Sequence, residues 1–393
     1  MAKILLLSNG HGEDLSGALL AQLLLDFGHH VQALPLVGKG HAYTQADIPL
    51  LGKTREFSTG GIGYTTFRGR LTELIQGQAL YLLQQLIRLL RRAHSIDFIV
   101  VVGDVIPVIA AWLSGCPVAT YLVAYSSHYE GRLRLPWPCG QLLATKRFKA
   151  VFSRDQLTAT DLSQQLHRQV SFVGNPFMDP VLSATAPTKT TDPRLGLLPG
   201  SRRPELEDNL RLLLAMVEQL PTDQKLRIDL ALVPSLDDDT LRTLAQRSGW
   251  QLSKGQLHRD HTQTIEVRRD AFQTVLQHSD LLICMAGTAA EQAIGLAKPV
   301  LQLPGRGPQF TEAFAEAQRR LLGPTIFCAQ GEAGSRINLE ASAQLTLQLL
   351  KRIQSDQHLQ RQCRDEALRR LGKAGGGLRM ATAIHAITSK DAG

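Results

Sequence analysis

The sequence is short of the features that mark several specialised protein classes. Its 393 residues include only five cysteines, Cys116, Cys139, Cys284, Cys328 and Cys363, far apart and with no CxxC pair. Neither a disulfide framework nor a thiolate zinc site is therefore written into it. Aromatic residues make up 5% of the chain, too few for base-stacking platforms, and the patterns of nucleic-acid modules are missing, so no nucleic-acid partner is expected. No stretch approaches the roughly 18 apolar residues that cross a bilayer. The apolar run in MAKILLLSNG is too short for a signal-peptide core, so a cytoplasmic protein is expected. No acidic pair is flanked as a metal site: Asp237, Asp238 and Asp239 read as a helix N-terminus, where carboxylates oppose the dipole.

What is present is ordinary in bulk and specific in pattern. The chain is 44% apolar and 20% charged, a globular composition, and its length favours two domains. A net charge of +8 favours anionic partners such as nucleotide diphosphates or acidic lipid surfaces.

Ile4 to Ser8 reads as a buried parallel strand, followed by a glycine-containing turn over Asn9 to Asp14 and a helix from Leu15 to Phe27. Further strands are expected at Val31 to Leu36, Phe98 to Val102, Val118 to Leu122, Ala150 to Phe152 and Val170 to Val173. The stretch SATAPTKTTDP has the Ser, Thr and Pro content of a linker, giving boundaries at 1–180, 181–193 and 194–375. After it the pattern restarts with strands at Leu195 to Leu198, Arg227 to Val233, Thr264 to Val267, Leu281 to Cys284 and Pro299 to Leu303, helices lying between. The expectation is an α/β protein of two Rossmann-like doubly wound domains facing a central cleft, with a short helix at 376–393 packing back on the first.

Two strand-to-helix loops in the second half suit an anion. Pro199-Gly200-Ser201-Arg202-Arg203 offers a helix start and an arginine fork matched to phosphate oxygens. Met285-Ala286-Gly287-Thr288 offers a close approach at Gly287 and a hydroxyl at Thr288, with Glu291 one turn on for a ribose diol. Each has a structural alternative: solvated arginines beside a capped helix for the first, a Thr288 to Glu291 capping box for the second. A third loop carries Gln309, whose amide suits sugar hydroxyls.

LPGSR, AGTAAEQAIGLAKPV and VGNPFMD together resemble lipid-A-disaccharide synthase, and the C-terminal half resembles the donor domain of the GT-B glycosyltransferases. The resemblance implies a hexosyltransferase in lipid biosynthesis that passes a sugar from UDP-N-acetylglucosamine or a similar donor to a lipid-linked acceptor, with no cofactor and no obligatory metal. It implies a donor site of Gly200, Ser201, Arg202, Met285, Gly287, Thr288, Glu291 and Gln309. Gly12, Asp14 and His128 fall to the acceptor side. Asn175 stands where that family has a histidine.

Transfer needs a base for the acceptor hydroxyl. Asp104, ending the apolar strand Phe98 to Val102, is the first candidate, with helix capping as its alternative. His11 and Glu13 are secondary. Peripheral membrane contact is expected through 60–92, where arginines bracket leucines at helical spacing, a helix covering the sheet being the alternative. The rival functions are a UDP-sugar 2-epimerase, whose expected arginine-bearing N-terminal loop is absent, and a non-catalytic nucleotide-sugar-binding protein.

Overall fold

A computed structural model of the chain describes residues 1–55, 78–129, 131–183, 192–201, 203, 205–222, 225–259, 263–304 and 312–390. Arg202, Gln309, the segment 60–77 and most of the linker lie outside the described residues, as does the side chain of His11. The chain divides into two compact units, Met1–Pro180 with Gly372–Gly393, and Val181–Leu371.

The first unit is built on five strands, β1 (Lys3–Ser8), β2 (His30–Pro35), β3 (Phe98–Val102), β4 (Val118–Leu122) and β5 (Phe148–Ser153). They run parallel in the order β2-β1-β3-β4-β5. Side chains alternate along a strand, so a run such as Ile4-Leu5-Leu6-Leu7 feeds both faces of the sheet. Leu5, Leu7, Ile99 and Val101 enter one core cluster, and Ile4, Leu6, Phe98 and Val100 the other.

The second unit contains β6 (Arg194–Leu198), β7 (Arg227–Leu232), β8 (Gln251–Ser253), β9 (Gln256–Arg259), β10 (Gln263–Arg269), β11 (Leu281–Cys284), β12 (Val300–Gln302) and β13 (Ile326–Cys328). Their order is β13-β12-β11-β6-β7-β10-β9-β8. All neighbours are parallel except at the edge, where β8 and β9 form an antiparallel hairpin continued onto β10. Both units are thus Rossmann-like α/β folds on parallel sheets.

Two local expectations are corrected. The first helix spans His11–Asp26 rather than starting at Leu15. Gly10, at φ +151°, completes the turn in one residue, so Gly12, Glu13 and Asp14 become the first helical turn. The strand expected at Val170 to Val173 reduces to one bridge, Phe152 with Ser171, because Gly174 (φ +94°) and Pro176 turn the chain away.

That turn serves the C-terminal helix, Gly376–Lys390. The carboxylate of Asp179, in VGNPFMD, accepts the N–H groups of Gly375, Gly376 and Gly377 at 2.8, 3.0 and 2.8 Å. Three donors that a helix start leaves without intrahelical partners are satisfied by one side chain. Met380, Ala381 and Ile384 pack into the same cluster as Leu20, Ala21 and Leu24 of the first helix. Farther along, His385 stacks on Phe27 at 4.8 Å and its Nδ1 lies 3.0 Å from His29 Nε2.

Replacing Asp179 by Ala is expected to lower unfolding stability by about 2 kcal/mol, at the upper end for a lost cap because three N–H groups lose their acceptor. Urea unfolding checks it, and Asp179→Asn should recover part of the loss.

Candidate functional site

In a doubly wound sheet the strand order reverses once, and connections on either side of that point leave in opposite directions, opening a crevice at the carboxyl ends of the strands. In the second unit the reversal lies between β6 and β11, which are paired neighbours. The two loops singled out in the sequence are the ones that leave these strands. Met285 N–H donates to Leu198 O at 2.9 Å. A Cβ at Gly200, where φ is +97°, would sit 3.6 Å from Ala286 Cβ.

The helix Gly287–Gly295 has Ala286 as its N-cap, with no side-chain cap hydrogen bond. Thr288 is therefore the second helical residue, and the capping box with Glu291 is not formed. Thr288 is exposed and Glu291 half-buried. The first N–H groups of this helix have neither an intrahelical acceptor nor a capping side chain, and they carry the positive end of the helix dipole. Asn209, nearly fully buried, donates from Nδ2 to Pro199 O at 2.8 Å and fixes the start of the Gly200-Ser201 loop, while its Oδ1 has no partner.

Not every residue expected here faces a ligand. Met285 is buried in the core of the unit, so its side chain makes no donor contact and only its backbone borders Gly200. Lys298, in the AGTAAEQAIGLAKPV stretch, donates to the carbonyls of Gln277 and Ser279. Burial pushes its amine down to about 8. It is a structural clamp at the amino ends of β11 and β12, away from the loop.

The first unit has its reversal between β1 and β3, and the expected N-terminal loop and Asp104 stand on either side of it. Asp104 caps the helix Val105–Leu113, with Oδ1 accepting from Ile106 N at 2.9 Å. Its Oδ2 accepts from Asn9 Nδ2 at 2.9 Å, across the reversal. Burial raises its carboxyl above the ordinary value despite these hydrogen bonds. Tyr125 accepts from Val105 N at 3.0 Å, and the Cys139 thiol is pushed up to about 12, by burial first and then by the charge of Asp104. Capping and a role as base are compatible, because each carboxylate oxygen retains a lone pair. Asn9, to which the sequence alone gave no role, holds this carboxylate in place. Only the NG turn hinted at it.

The helix starting after Gly10 also lacks a side-chain cap. By contrast Asp104, Asp155, Asp237, Ser335 and Asp356 each close a helix start with a side-chain oxygen. Short starts at Gly40, Pro138 and Ala271 are uncapped as well, but none stands where strand order reverses. Gly12 is exposed, and a Cβ there would meet nothing within 4 Å. Glu13 is half-buried in the first turn.

Asp14 departs from expectation. It is 2% exposed, and its Oδ1 accepts from Ser8 Oγ at 2.6 Å, which in turn accepts from the Tyr43 hydroxyl at 2.9 Å. Gly17 is required above this chain, since a Cβ there would fall 2.0 Å from the Tyr43 oxygen. Asp14 supports the loop from below and is closed to an acceptor. His128 likewise faces its own unit, its Nε2 lying 3.7 Å from Asp155 Oδ1.

No protein-family profile and no curated protein sequence matches this chain. Solved structures do resemble it. The calicheamicin glycosyltransferase CalG4 aligns with a TM-score of 0.64 at 16% identity, covering 98% of each chain. The spinosyn rhamnosyltransferase SpnG complexed with thymidine diphosphate gives 0.59 at 17%, covering 97% of this chain and 99% of that one. The UDP-GlcNAc 2-epimerase from Neisseria meningitidis bound to UDP-GlcNAc gives 0.53 at 13%, covering 99% and 100%. At these identities the likeness shows the fold alone, two Rossmann-like α/β units on parallel sheets.

Burial raises the Asp14 carboxyl to about 7, opposed by the Ser8 hydrogen bond and reinforced by Glu13. A raised folded-state pKa contributes stability that is complete below the unfolded value near 4 and is lost as pH climbs through about 7. Asp14→Asn keeps an acceptor for Ser8 and removes that loss, so the variant should gain on the wild type by a few kcal/mol between pH 5 and 8. Urea midpoints at the two pH values measure it, and parallel pH profiles would contradict the burial argument.

Proposed function

We propose that the protein is a glycosyltransferase using a UDP-sugar, of hexose or N-acetylhexosamine type, and passing the sugar to a lipid-linked acceptor in the manner of lipid-A-disaccharide synthase. The observation that carries this reading is the uncapped helix start at Ala286, set beside the Gly200 loop where β6 and β11 part. A diphosphate there meets backbone N–H groups, the Thr288 hydroxyl and, from the sequence, Arg202. Glu291 suits the ribose and Gln309 the sugar. That glycosyltransferases and a UDP-sugar epimerase share the fold supports a nucleotide-sugar ligand.

In the reaction the acceptor hydroxyl oxygen bonds to the anomeric carbon while the bond to the diphosphate breaks. Asp104 takes the hydroxyl proton, helped by the raised affinity that burial gives its carboxylate. The departing diphosphate keeps the electron pair, and the helix start and Arg202 stabilise its charge. The reading invokes no protein-held metal. The helix Gln78–Arg92 supports a membrane-near acceptor at the cytoplasmic face. Tyr81, Gln85 and Leu89 are buried, whereas Leu80, Leu83, Ile87 and Leu90 are exposed at helical spacing and Arg91 and Arg92 end the helix. A helix that only covered the sheet would not need that second apolar stripe.

Calorimetry with UDP should show saturable binding, weakened about tenfold or more by Thr288→Ala, the loss of one charge-assisted hydrogen bond. Asp104→Asn, which still caps the helix, should spare UDP binding and cut transfer by at least about 100-fold. Donor isomerised without an acceptor would mean an epimerase, and binding without turnover a non-catalytic protein. The chain should also float with phosphatidylglycerol vesicles and lose that ability in Leu83→Glu.

A further inference from the structure

The first unit holds a second concavity, unrelated to its strand-order reversal. A pocket of about 680 Å³ is lined by Arg132, Leu133, Arg134, Leu135, Trp137, Gly140, Gln141, Ala144, Gln165, Leu166 and His167, a volume usual for small-ligand sites. It lies on the outer side of the short helix Cys139–Leu143. Cys139 and Leu143 of that helix enter the core, and Cys139 feels the charge of Asp104, while Gly140 and Gln141 face the pocket.

The wall is fixed rather than loose. Asp161 accepts from Leu133 N at 2.6 Å, Ser127 Oγ at 2.7 Å and Gln165 Nε2 at 2.8 Å, and Gln165 Nε2 also donates to Leu133 O at 3.0 Å. Burial would raise this carboxyl, but those hydrogen bonds and the Arg132 charge hold it below its ordinary value. On this frame the polar side chains at the pocket are two arginines, two glutamines and a histidine, with no carboxylate among the described lining residues. The indole of Trp137 stands 82% exposed, although large apolar side chains are usually covered unless they meet a partner.

We propose that this pocket binds an anionic saccharide, a sugar ring bearing phosphate, as a site separate from the one at Asp104. The ring's apolar face would lie on Trp137, the Gln141 amide and the Gln165 carbonyl would meet its hydroxyls, and Arg132 and Arg134 would hold the anion. A free sugar phosphate and the headgroup of a phosphorylated glycolipid share this chemistry. The proposal does not depend on the transfer reaction.

The test titrates glucose 1-phosphate into the full chain. Trp137 fluorescence should change saturably, and Trp137→Phe should remove the signal. Affinity should be at least tenfold tighter than for glucose or for inorganic phosphate alone. By calorimetry, Arg134→Ala should weaken binding at least tenfold and Gly140→Leu should block it. A Cβ at Gly140 meets only Leu166 and Leu135 at 3.8 and 3.9 Å, so the larger side chain fills the pocket, and Arg134→Ala stands alone should that variant fail to fold. Displacement of the sugar phosphate by vesicles carrying a phosphorylated glycolipid would identify the headgroup as the source, and its absence the free sugar. Equal affinity for phosphate alone, tighter binding of uridine monophosphate, or binding that survives both variants would overturn the proposal. UDP binding should be unchanged throughout, which separates this outcome from the failure of the donor site.

Discussion

A parallel sheet whose strand order reverses leaves two neighbouring carboxyl ends with no connection packed over the gap, and the sugar-transfer function proposed for this protein depends on that constraint. At β6 and β11 it sets a glycine turn against a bare helix start. At β1 and β3 it sets Asn9 against Asp104. A helix start elsewhere in the fold meets solvent or core and is commonly closed by an aspartate or serine. At the two reversals the first-turn N–H groups that follow Gly10 and Ala286 are left without such a side-chain cap, which costs stability unless an anion or water completes them.

The layers beneath these openings are as specific as the openings. Tyr43, Ser8 and Asp14 form a buried hydrogen-bonded chain under the first loop, and Gly17 lets the tyrosine reach it. In the second unit Asn209 ties the Pro199 carbonyl at the start of the Gly200 loop down from below. Such polar groups cost free energy to bury, so their placement under exposed loops fits sites that must keep their shape without a ligand. The Asp179 cap does similar work for the C-terminal helix, making part of the VGNPFMD motif a fastening.

Strand positions were legible because the signal is strong and local: Phe98 to Val102, Val118 to Leu122 and Leu281 to Cys284 are continuous apolar runs between glycine and polar turns. The hairpin Gln251 to Arg259 and the short strand Ile326 to Cys328 escaped, being polar or only three residues long at the sheet edges. At the site, glycine and hydroxyl residues after apolar strands drew attention to the two donor loops. The same logic misplaced the side chains of Asp14 and Met285, since the first helix already begins at His11 and Met285 carries the apolar run of its strand on into the core.

By itself, then, the order of amino acids determined the α/β class, the two sheet-forming halves and the loops that bear glycine, serine, threonine and aspartate, since these follow from periodicity and turn chemistry within a dozen residues. Only the tertiary structure decided which loops become neighbours, that Ala286 rather than Thr288 is the N-cap of its helix, that Asn9 reaches across 95 positions of sequence to Asp104, and that Arg132, Trp137 and Gln165 share a pocket. Those outcomes rest on strand order and on the direction in which each helix leaves its strand, neither of which is encoded in any local stretch.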